Sequence, residues 1–237
     1  MKVTVAIILA GGLGTRLRDT VPGLPKPMAP INGRPFLEYL MDYWIEQGIS
    51  RFILSTGYLS QMIIDHFGKK YRETSIDYII EESPLGTGGG LLMSAKGLTE
   101  PFLVLNGDTF FEVDLKDLTA FHEKNKSGWT ISLFSTTNLE RYMSIEITKT
   151  GKILKMKVNN NQSSYLVNGG VYLINPSILK DFKELIAKKI SLEDEILSEG
   201  VSSGQAIYGL ECFGGFIDIG VPEDYHLAQT FFLNNKS

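Results

Sequence analysis

Short apolar runs alternate with amphipathic stretches along the first half of the chain. The runs are continuous enough to be strands buried on both faces, and the segment at residues 35–47 places Phe36, Leu37, Leu40 and Trp44 on one helical face. Strands are predicted over residues 3–9, 51–55, 76–80 and 102–105, and helices over residues 35–47, 60–67 and 88–96. This alternation predicts a parallel, doubly wound α/β sheet.

The pattern changes in the second half of the chain. Apolar residues at 144–148 and 153–158 flank a Lys-Thr-Gly-Lys turn at residues 149–152, which predicts a β-hairpin. Further strands are predicted at residues 130–136 and 165–174, and helices at residues 114–126, at 191–198 and from residue 222 onward. We therefore expect a mixed sheet in this half of the chain.

A glycine-rich loop follows the first predicted strand. Gly11, Gly12 and Gly14 allow the backbone to approach a ligand closely, and successive N–H groups of such a loop form a nest for phosphate oxygens. Arg16 adds charged donors to the same oxygens. The spacing matches neither the GxxxxGK[ST] nor the GxGxxG motif, so the phosphate-binding mechanisms of those motifs are not inferred here. A structural turn is the alternative interpretation.

The segment after the loop carries a lysine between prolines. Pro22, Pro25, Pro27 and Pro30 are predicted to hold the segment extended, with Lys26 restricted by the ring that follows it. A stiff exposed linker with an incidental lysine is one interpretation. The other interpretation is that Lys26 is a second phosphate ligand. It is favoured because a cation is held in place so soon after an anion-binding loop.

Two carboxylates stand at the ends of predicted strands. Glu81 follows the third strand and Asp108 the fourth. Ligands of doubly wound sheets bind beyond the carboxyl ends of the strands, so we expect Gly11, Glu81 and Asp108 to line one site. The alternatives are an Asx turn for Asp108 and a solvated strand-end acid for Glu81.

Composition narrows the class of partner. The 237 residues are 43% apolar and 21% charged, with a net charge of −4, which argues against the broad basic face that nucleic-acid binding needs. No apolar run is long enough for a membrane span or a signal peptide, and the single cysteine, Cys212, cannot form an intramolecular disulfide. We therefore expect a cytoplasmic protein without nucleic-acid or membrane partners.

Several motifs together resemble those of the sugar-1-phosphate nucleotidylyltransferases. They are Gly11-Gly12-Leu13-Gly14-Thr15-Arg16-Leu17, Pro25-Lys26-Pro27-Met28, Glu81 with Pro84-Leu85-Gly86-Thr87-Gly88, Asn106-Gly107-Asp108-Thr109, Asn168-Gly169-Gly170, and Phe216-Ile217-Asp218-Ile219-Gly220-Val221-Pro222-Glu223-Asp224-Tyr225. The sequences of these motifs are most similar to those of the heptose 1-phosphate guanylyltransferases of that family. The resemblance implies a Rossmann-like nucleotidyltransferase fold with a mixed sheet and a small β-hairpin lobe on the acceptor side. A single domain over residues 1–237 would bind nucleotide through residues 1–110 and sugar phosphate through residues 111–237.

The resemblance also implies a reaction and its residues. A nucleotidyl group, GMP from GTP, would pass to a sugar 1-phosphate with Mg²⁺ as cofactor and pyrophosphate as the second product. Because the reactants are anions, catalysis must neutralise and align them. Asp108 and Asp218 would hold the metal, Arg16 the triphosphate, and Lys26 the α-phosphate with the incoming sugar phosphate. Nucleotide contacts are implied at Leu9, Ala10, Gly11, Gly12, Gly14, Thr15, Arg16, Glu81, Pro84, Gly86 and Thr87, and sugar-phosphate contacts at Asn106, Gly107, Tyr142, Asn168, Gly169 and Glu193.

Two segments depart from the family pattern. A Glu-Lys pair usual after the hairpin is replaced by residues 155–160, and Arg141-Tyr142-Met143 stands where Arg-Tyr-Gly is common. We expect Lys157, or else Lys155, to supply the missing lysine. The departures motivate an alternative function, a catalytically weak nucleotide-sugar-binding regulatory subunit. A uridylyl- or mannose-1-phosphate-type transferase is a further alternative, and a homodimer is left open. A glycosyltransferase is disfavoured because the Gly-Asp-Thr at residues 107–109 lacks the second aspartate of a DxD motif.

Base preference is predicted from Glu81. Guanine presents N1–H and N2–H₂ as adjacent donors, and a carboxylate accepts two hydrogen bonds side by side. Uracil and thymine present one donor between two acceptors. We therefore expect Glu81 to favour GTP, with the backbone at residues 9–11 contacting the other edge of the base.

Overall fold

The computed structural model describes residues 1–12, 14, 17, 20–138, 142–157 and 163–234. The strands are β1 (Val5–Ala10), β2 (Pro30–Ile31), β3 (Arg34–Pro35), β4 (Arg51–Thr56), β5 (Lys70–Tyr71), β6 (Thr74–Ile80), β7 (Phe102–Asn106), β8 (Thr109–Phe111), β9 (Trp129–Thr136), β10 (Ser144–Ile147), β11 (Ile153–Met156), β12 (Tyr165–Ile174), β13 (Ile207–Glu211) and β14 (Phe216–Asp218). The α-helices are α1 (Phe36–Glu46), α2 (Ser60–Phe67), α3 (Gly86–Ser94), α4 (Leu115–Lys124), α5 (Ser198–Ser202) and α6 (Pro222–Asn234). Segments Lys26–Met28 and Pro176–Leu185 are 3₁₀-helical, and Leu192–Leu197 is a π-helix.

Strand β1 lies at the centre of the main sheet. It pairs in parallel with β4 on one side and with β7 on the other, and β6 pairs in parallel with β4. Successive strands therefore extend from β1 in opposite directions, which makes its carboxyl end the switch point of a doubly wound sheet. The residues after Ala10, Ile80 and Asn106 meet at this edge.

The second half of the chain makes the sheet mixed. Strand β12 pairs antiparallel with β7 through residues 171–174 and with β9 along most of its length. The β10–β11 hairpin attaches to the other end of β12, and β13 joins β9 in parallel. Strands β8 and β14 form a separate antiparallel ribbon. The predicted mixed α/β fold with a hairpin on its second half is confirmed.

Apolar clusters cover both faces of the sheet. Ile8 and Leu105 belong to one cluster with Trp44 of α1, while Ile7 belongs to the other with Trp129 of β9. All five side chains are at most 1% exposed. Because adjacent residues of a strand point to opposite faces, a strand covered on both faces has the continuous apolar sequence from which it was predicted.

Most predicted elements occur within a few residues of their expected positions. The helix expected from Ser191 does begin there, with Ser191 Oγ accepting the Asp194 N–H at 3.1 Å, but it is wound as a π-helix before α5 continues it. Strand β13 and the 3₁₀ segment Pro176–Leu185 were not predicted. In the part of the chain that the structure describes, no helix combines the length and apolarity needed to cross a membrane.

Candidate active site

A cavity of about 440 Å³ opens at the carboxyl ends of β1, β6 and β7, a size typical of small-molecule sites. Its lining includes every predicted nucleotide-contact residue that the structure describes, from Leu9 to Thr87, together with Lys26 and residues 106–108. Thr15 and Arg16 lie outside the described residues. The fold thus brings the separate strand ends to one concave site.

The glycine loop is tightly packed at one residue and open at the next. A Cβ on Gly11 would lie 2.7 Å from Glu81 Oε1, so this position has no room for a side chain. A Cβ on Gly12 would meet nothing within 4 Å. The loop is therefore packed against Glu81 at one residue and leaves space beside the backbone at the next, where a ligand can approach it.

Lys26 forms an ion pair inside the cavity. Its Nζ donates to Asp108 Oδ2 at 2.8 Å, and the two side chains are 12% and 35% exposed. The lysine begins a 3₁₀ turn between Pro25 and Pro27, so the segment is not extended as the prolines predicted. The turn nevertheless fixes the backbone of Lys26, because the proline rings restrict the torsions on either side.

Asp218 reaches the same place from the far end of the chain. In the β8–β14 ribbon it lies opposite Thr109, and Ile219 N–H donates to Asp108 O at 2.9 Å. The point that a Cβ on Gly220 would occupy is 2.6 Å from Asp218 Oδ1 and 3.4 Å from Lys26 Nζ. The Lys26 ammonium group and the carboxylates of Asp108 and Asp218 therefore lie close together.

Glu81 is anchored through both carboxylate oxygens. Oε1 accepts the Ser55 hydroxyl at 3.0 Å and Oε2 accepts the Leu85 N–H at 2.9 Å. A carboxylate offers about four lone-pair sites, so these bonds fix its orientation and leave acceptor capacity on each oxygen.

Two backbone hydrogen bonds, here called the seam, join the start of α3 to the loop around Ile190. Ile190 N–H donates to Leu85 O at 2.8 Å, and Gly88 N–H donates to Ile190 O at 3.0 Å. Gly86 has a φ of 72°, and a Cβ there would collide with Ile190 O. Close packing of this kind requires glycine and makes the loop around Ile190 a wall of the cavity.

This seam places an unpredicted cation at the cavity. Lys189 is exposed, lines the cavity, and makes no ion pair with another described residue. It lies in a connection between helical segments, so reasoning from strand ends could not find it. The only sequence signal is its position two residues before the predicted helix cap Ser191.

The predicted acceptor side contains a break in strand pairing. The β12–β9 register shifts between Asn168 and Tyr172, a β-bulge of the kind common beside active sites. Asn168 Oδ1 accepts the Gly170 N–H at 2.9 Å, and Asn168 Nδ2 donates to Tyr172 Oη at 2.7 Å. Tyr172 Oη in turn donates to Glu193 Oε1 at 3.0 Å. Burial, reinforced by the Glu193 charge, raises the pKa of Tyr172 well above its ordinary value.

Asn106 and Gly107 line the cavity, whereas the other five predicted sugar-phosphate residues, Tyr142, Lys157, Asn168, Gly169 and Glu193, are not part of the lining that the described residues form. Lys157 Nζ donates to Asp194 Oδ1 at 2.6 Å, which lowers the pKa of Asp194. Tyr142 packs edge-on against Phe134, with 5.3 Å between ring centroids. Lys157 thus pairs with the residue that follows Glu193 in the chain. Arg141 lies outside the described residues.

Known proteins are similar to this chain over nearly its whole length. The chain is 42% identical to the D-glycero-α-D-manno-heptose 1-phosphate guanylyltransferase of Aneurinibacillus thermoaerophilus, over 94% of this chain and 96% of that protein. It is 38% identical to the enzyme of the same name from Campylobacter jejuni, over 97% and 99%. Its fold matches the crystal structure of HddC from Yersinia pseudotuberculosis complexed with GMP-PN, with a TM-score of 0.82, 35% identity, and coverage of 97% and 100%.

The family assignment rests on nearly the whole chain. The model of the family described as nucleotidyl transferase matches residues 5–235, from the first residue of β1 to just past α6. This range includes all the motifs from which the resemblance was predicted, and that prediction is confirmed. The chain belongs to the nucleotidyl transferase family.

Proposed function

We propose that this protein transfers GMP from GTP to D-glycero-α-D-manno-heptose 1-phosphate, forming the GDP-sugar and pyrophosphate. The observation that carries the proposal is the Lys26–Asp108 ion pair, 2.8 Å long, inside a cavity whose glycine loop suits phosphates. Support for the substrates comes from two relatives of that activity, which match this chain over nearly their full length.

Lys26 is proposed to act at the reacting phosphates. Its ammonium group has three donors and spends one on Asp108, so two remain for the α-phosphate and for the attacking sugar phosphate. Both groups are anions and repel each other, and a cation held by its own backbone turn offsets that repulsion without reorganising. Lys189 is proposed as a second cation for the bound nucleotide, at the part of the lining formed by Gly86 and Thr87.

A divalent cation is proposed to bind between Asp108 and Asp218. Among the described residues no group of three or more His, Cys, Asp or Glu side chains could hold a metal ion, so a site made only of protein ligands is not indicated. Asp218 ends β14 and Asp108 directly precedes the paired strand β8. Two such carboxylates fit Mg²⁺, which commonly takes one or two carboxylates and completes its shell with water and substrate phosphate. When bound there, Mg²⁺ would neutralise phosphate charge.

Glu81 is proposed to select the base, and residues 9–11 to contact its other edge. The homodimer, the cytoplasmic location and the division into a nucleotide half and a sugar half stay predictions.

The test is pyrophosphate release with each of ATP, GTP, CTP, UTP and dTTP against a panel of heptose and hexose 1-phosphates in Mg²⁺ buffer. We expect turnover with GTP and the heptose 1-phosphate, a GDP-heptose mass in the product, and loss of turnover in Asp218→Asn. Preference for UTP or dTTP would refute the guanylyl assignment. Tight nucleotide binding without turnover by any pair would favour the regulatory subunit.

A further inference from the structure

The Glu193 carboxylate receives hydrogen bonds from two sides of the molecule. Tyr172 Oη, from β12, donates to Oε1 at 3.0 Å, and Thr87 Oγ1, from the first turn of α3, donates to Oε2 at 3.3 Å. Thr87 also lines the nucleotide cavity, whereas Tyr172 lies just past the β12 bulge. Glu193 is therefore held between the nucleotide cavity and the acceptor side.

Each of these two hydrogen bonds belongs to a longer chain of hydrogen bonds that starts at a backbone amide. Leu192 N–H donates to Thr87 Oγ1 at 2.9 Å, and Gly170 N–H donates to Asn168 Oδ1 at 2.9 Å. The second bond orients the Asn168 amide so that its nitrogen donates to Tyr172 Oη at 2.7 Å. Because an ionised carboxylate only accepts, both hydroxyl protons point to Glu193. Two chains of donors thus begin at the backbone and end on one carboxylate.

Packing alone does not explain the buried hydroxyl of Tyr172. The side chain is 0% exposed among apolar neighbours, where phenylalanine would fill almost the same volume without burying a hydroxyl. What the hydroxyl adds is a hydrogen bond that sets the orientation of Glu193. That carboxylate retains unused lone pairs, and Asn168 retains one N–H, so the two side chains offer an acceptor and a donor to neighbouring sugar hydroxyls.

We propose that Tyr172 is a positioning residue for the acceptor sugar: it holds the Glu193 carboxylate in the orientation that accepts sugar hydroxyls, next to the nucleotide cavity. The inference rests on the proposed function, because it assigns the sugar 1-phosphate to the Asn168–Glu193 side. A merely structural role for Tyr172 would instead affect nucleotide and sugar kinetics alike, in step with stability.

The test is Tyr172→Phe in the pyrophosphate-release assay. We expect the KM of the sugar 1-phosphate to rise about tenfold or more, as for loss of a hydrogen bond to a charged group, while the KM of GTP changes less than about twofold. Tyr39→Phe is the matched control. Tyr39 is also buried and donates to Ile31 O at 3.1 Å, but it lies in the other apolar cluster, so its variant should change melting temperature without changing either KM.

Two further variants separate positioning from folding. Glu193→Asp keeps the charge but withdraws the carboxylate from Tyr172, and we expect the same selective rise in sugar KM without loss of a buried hydroxyl. A Tyr172→Phe/Glu193→Asp double variant should be little worse than Glu193→Asp alone, because both changes act through one contact. An unchanged sugar KM in Tyr172→Phe, or equal rises in both KM values, would overturn the inference. Turnover by the wild-type protein in the same assay tests the proposed function separately.

Discussion

Exchanging Glu81 for glutamine separates base recognition from folding. The Glu81 oxygens accept the Leu85 N–H at 2.9 Å and the Ser55 hydroxyl at 3.0 Å. Glutamine can keep its oxygen on Leu85 and turn its amide nitrogen to Ser55, because a hydroxyl accepts as well as donates. The anchoring bonds are therefore retained in Glu81→Gln, and we expect little change in melting temperature.

Glu81→Gln is expected to weaken the recognition of guanine. The carboxylate of Glu81 can accept guanine N1–H and N2–H₂ together, whereas an amide nitrogen opposes one of these donors. Loss of one hydrogen bond to a charged group is worth about 1.5–3 kcal/mol, or roughly 10- to 100-fold in kcat/KM for GTP. Uracil, with one donor between two acceptors, suits an amide better than a carboxylate, so kcat/KM for UTP should rise in Glu81→Gln. The ratio of kcat/KM for GTP to that for UTP should therefore fall by a larger factor than kcat/KM for GTP itself.

The assay compares GTP, inosine triphosphate and UTP with the wild type, Glu81→Gln and Glu82→Gln. Inosine triphosphate lacks the N2 amino group, so the wild type should prefer GTP to it and Glu81→Gln should lose most of that preference. Glu82 is the exposed neighbour and supplies a control of equal charge change. An unchanged GTP kcat/KM in Glu81→Gln, or an equal loss with all three nucleotides, would refute the reasoning.

Four other predictions concern ionisable side chains. Lys26→Ala should lower kcat about 10²-fold or more, as for loss of a preorganised charge, and a change confined to the GTP KM would contradict this role. Lys189→Ala should raise the KM of GTP only and Lys157→Ala that of the sugar 1-phosphate only; the reverse pattern would exchange their assignments. Burial lowers the pKa of His122 to about 4, so the unfolded chain takes up the proton first as the pH falls from about 6.5 to 4. Urea titrations should show up to about 3 kcal/mol of stability lost over that range in the wild type and less in His122→Leu.

Much of the nucleotide side follows from the sequence because its residues occupy strand ends. A buried parallel strand is apolar throughout, so its carboxyl end is visible as the residue where the run stops, and Gly11, Glu81 and Asp108 all stand there. Parallel pairing then aligns those ends without further information. The cavity lining at these positions is the geometric consequence.

Two other parts of the candidate site depend on contacts that local patterns do not encode. Lys189 reaches the cavity because the glycines of α3 let the backbone around Ile190 pack closely against the helix. The residues near Lys189 in the sequence do not predict this contact. The Tyr172–Glu193 bond joins a strand to a π-helix, and the apolar pattern of β12 predicts only that Tyr172 is buried. Such side-chain pairings are set by tertiary packing, which overrides local propensity.

The β8–β14 ribbon also has a consequence for folding kinetics. It joins segments that are far apart in the chain: Glu112 Oε2 accepts the Gly215 N–H at 2.8 Å across 103 positions. A contact over so long a loop is entropically expensive and is expected to form late. The part of the nucleotide cavity that is built from residues of the first half can form before Asp218 and Lys189 arrive, because the Leu85–Ile190 seam closes a loop of similar length. Refolding chains should therefore pass through a stage that binds nucleotide but cannot turn it over, with activity recovering after nucleotide binding.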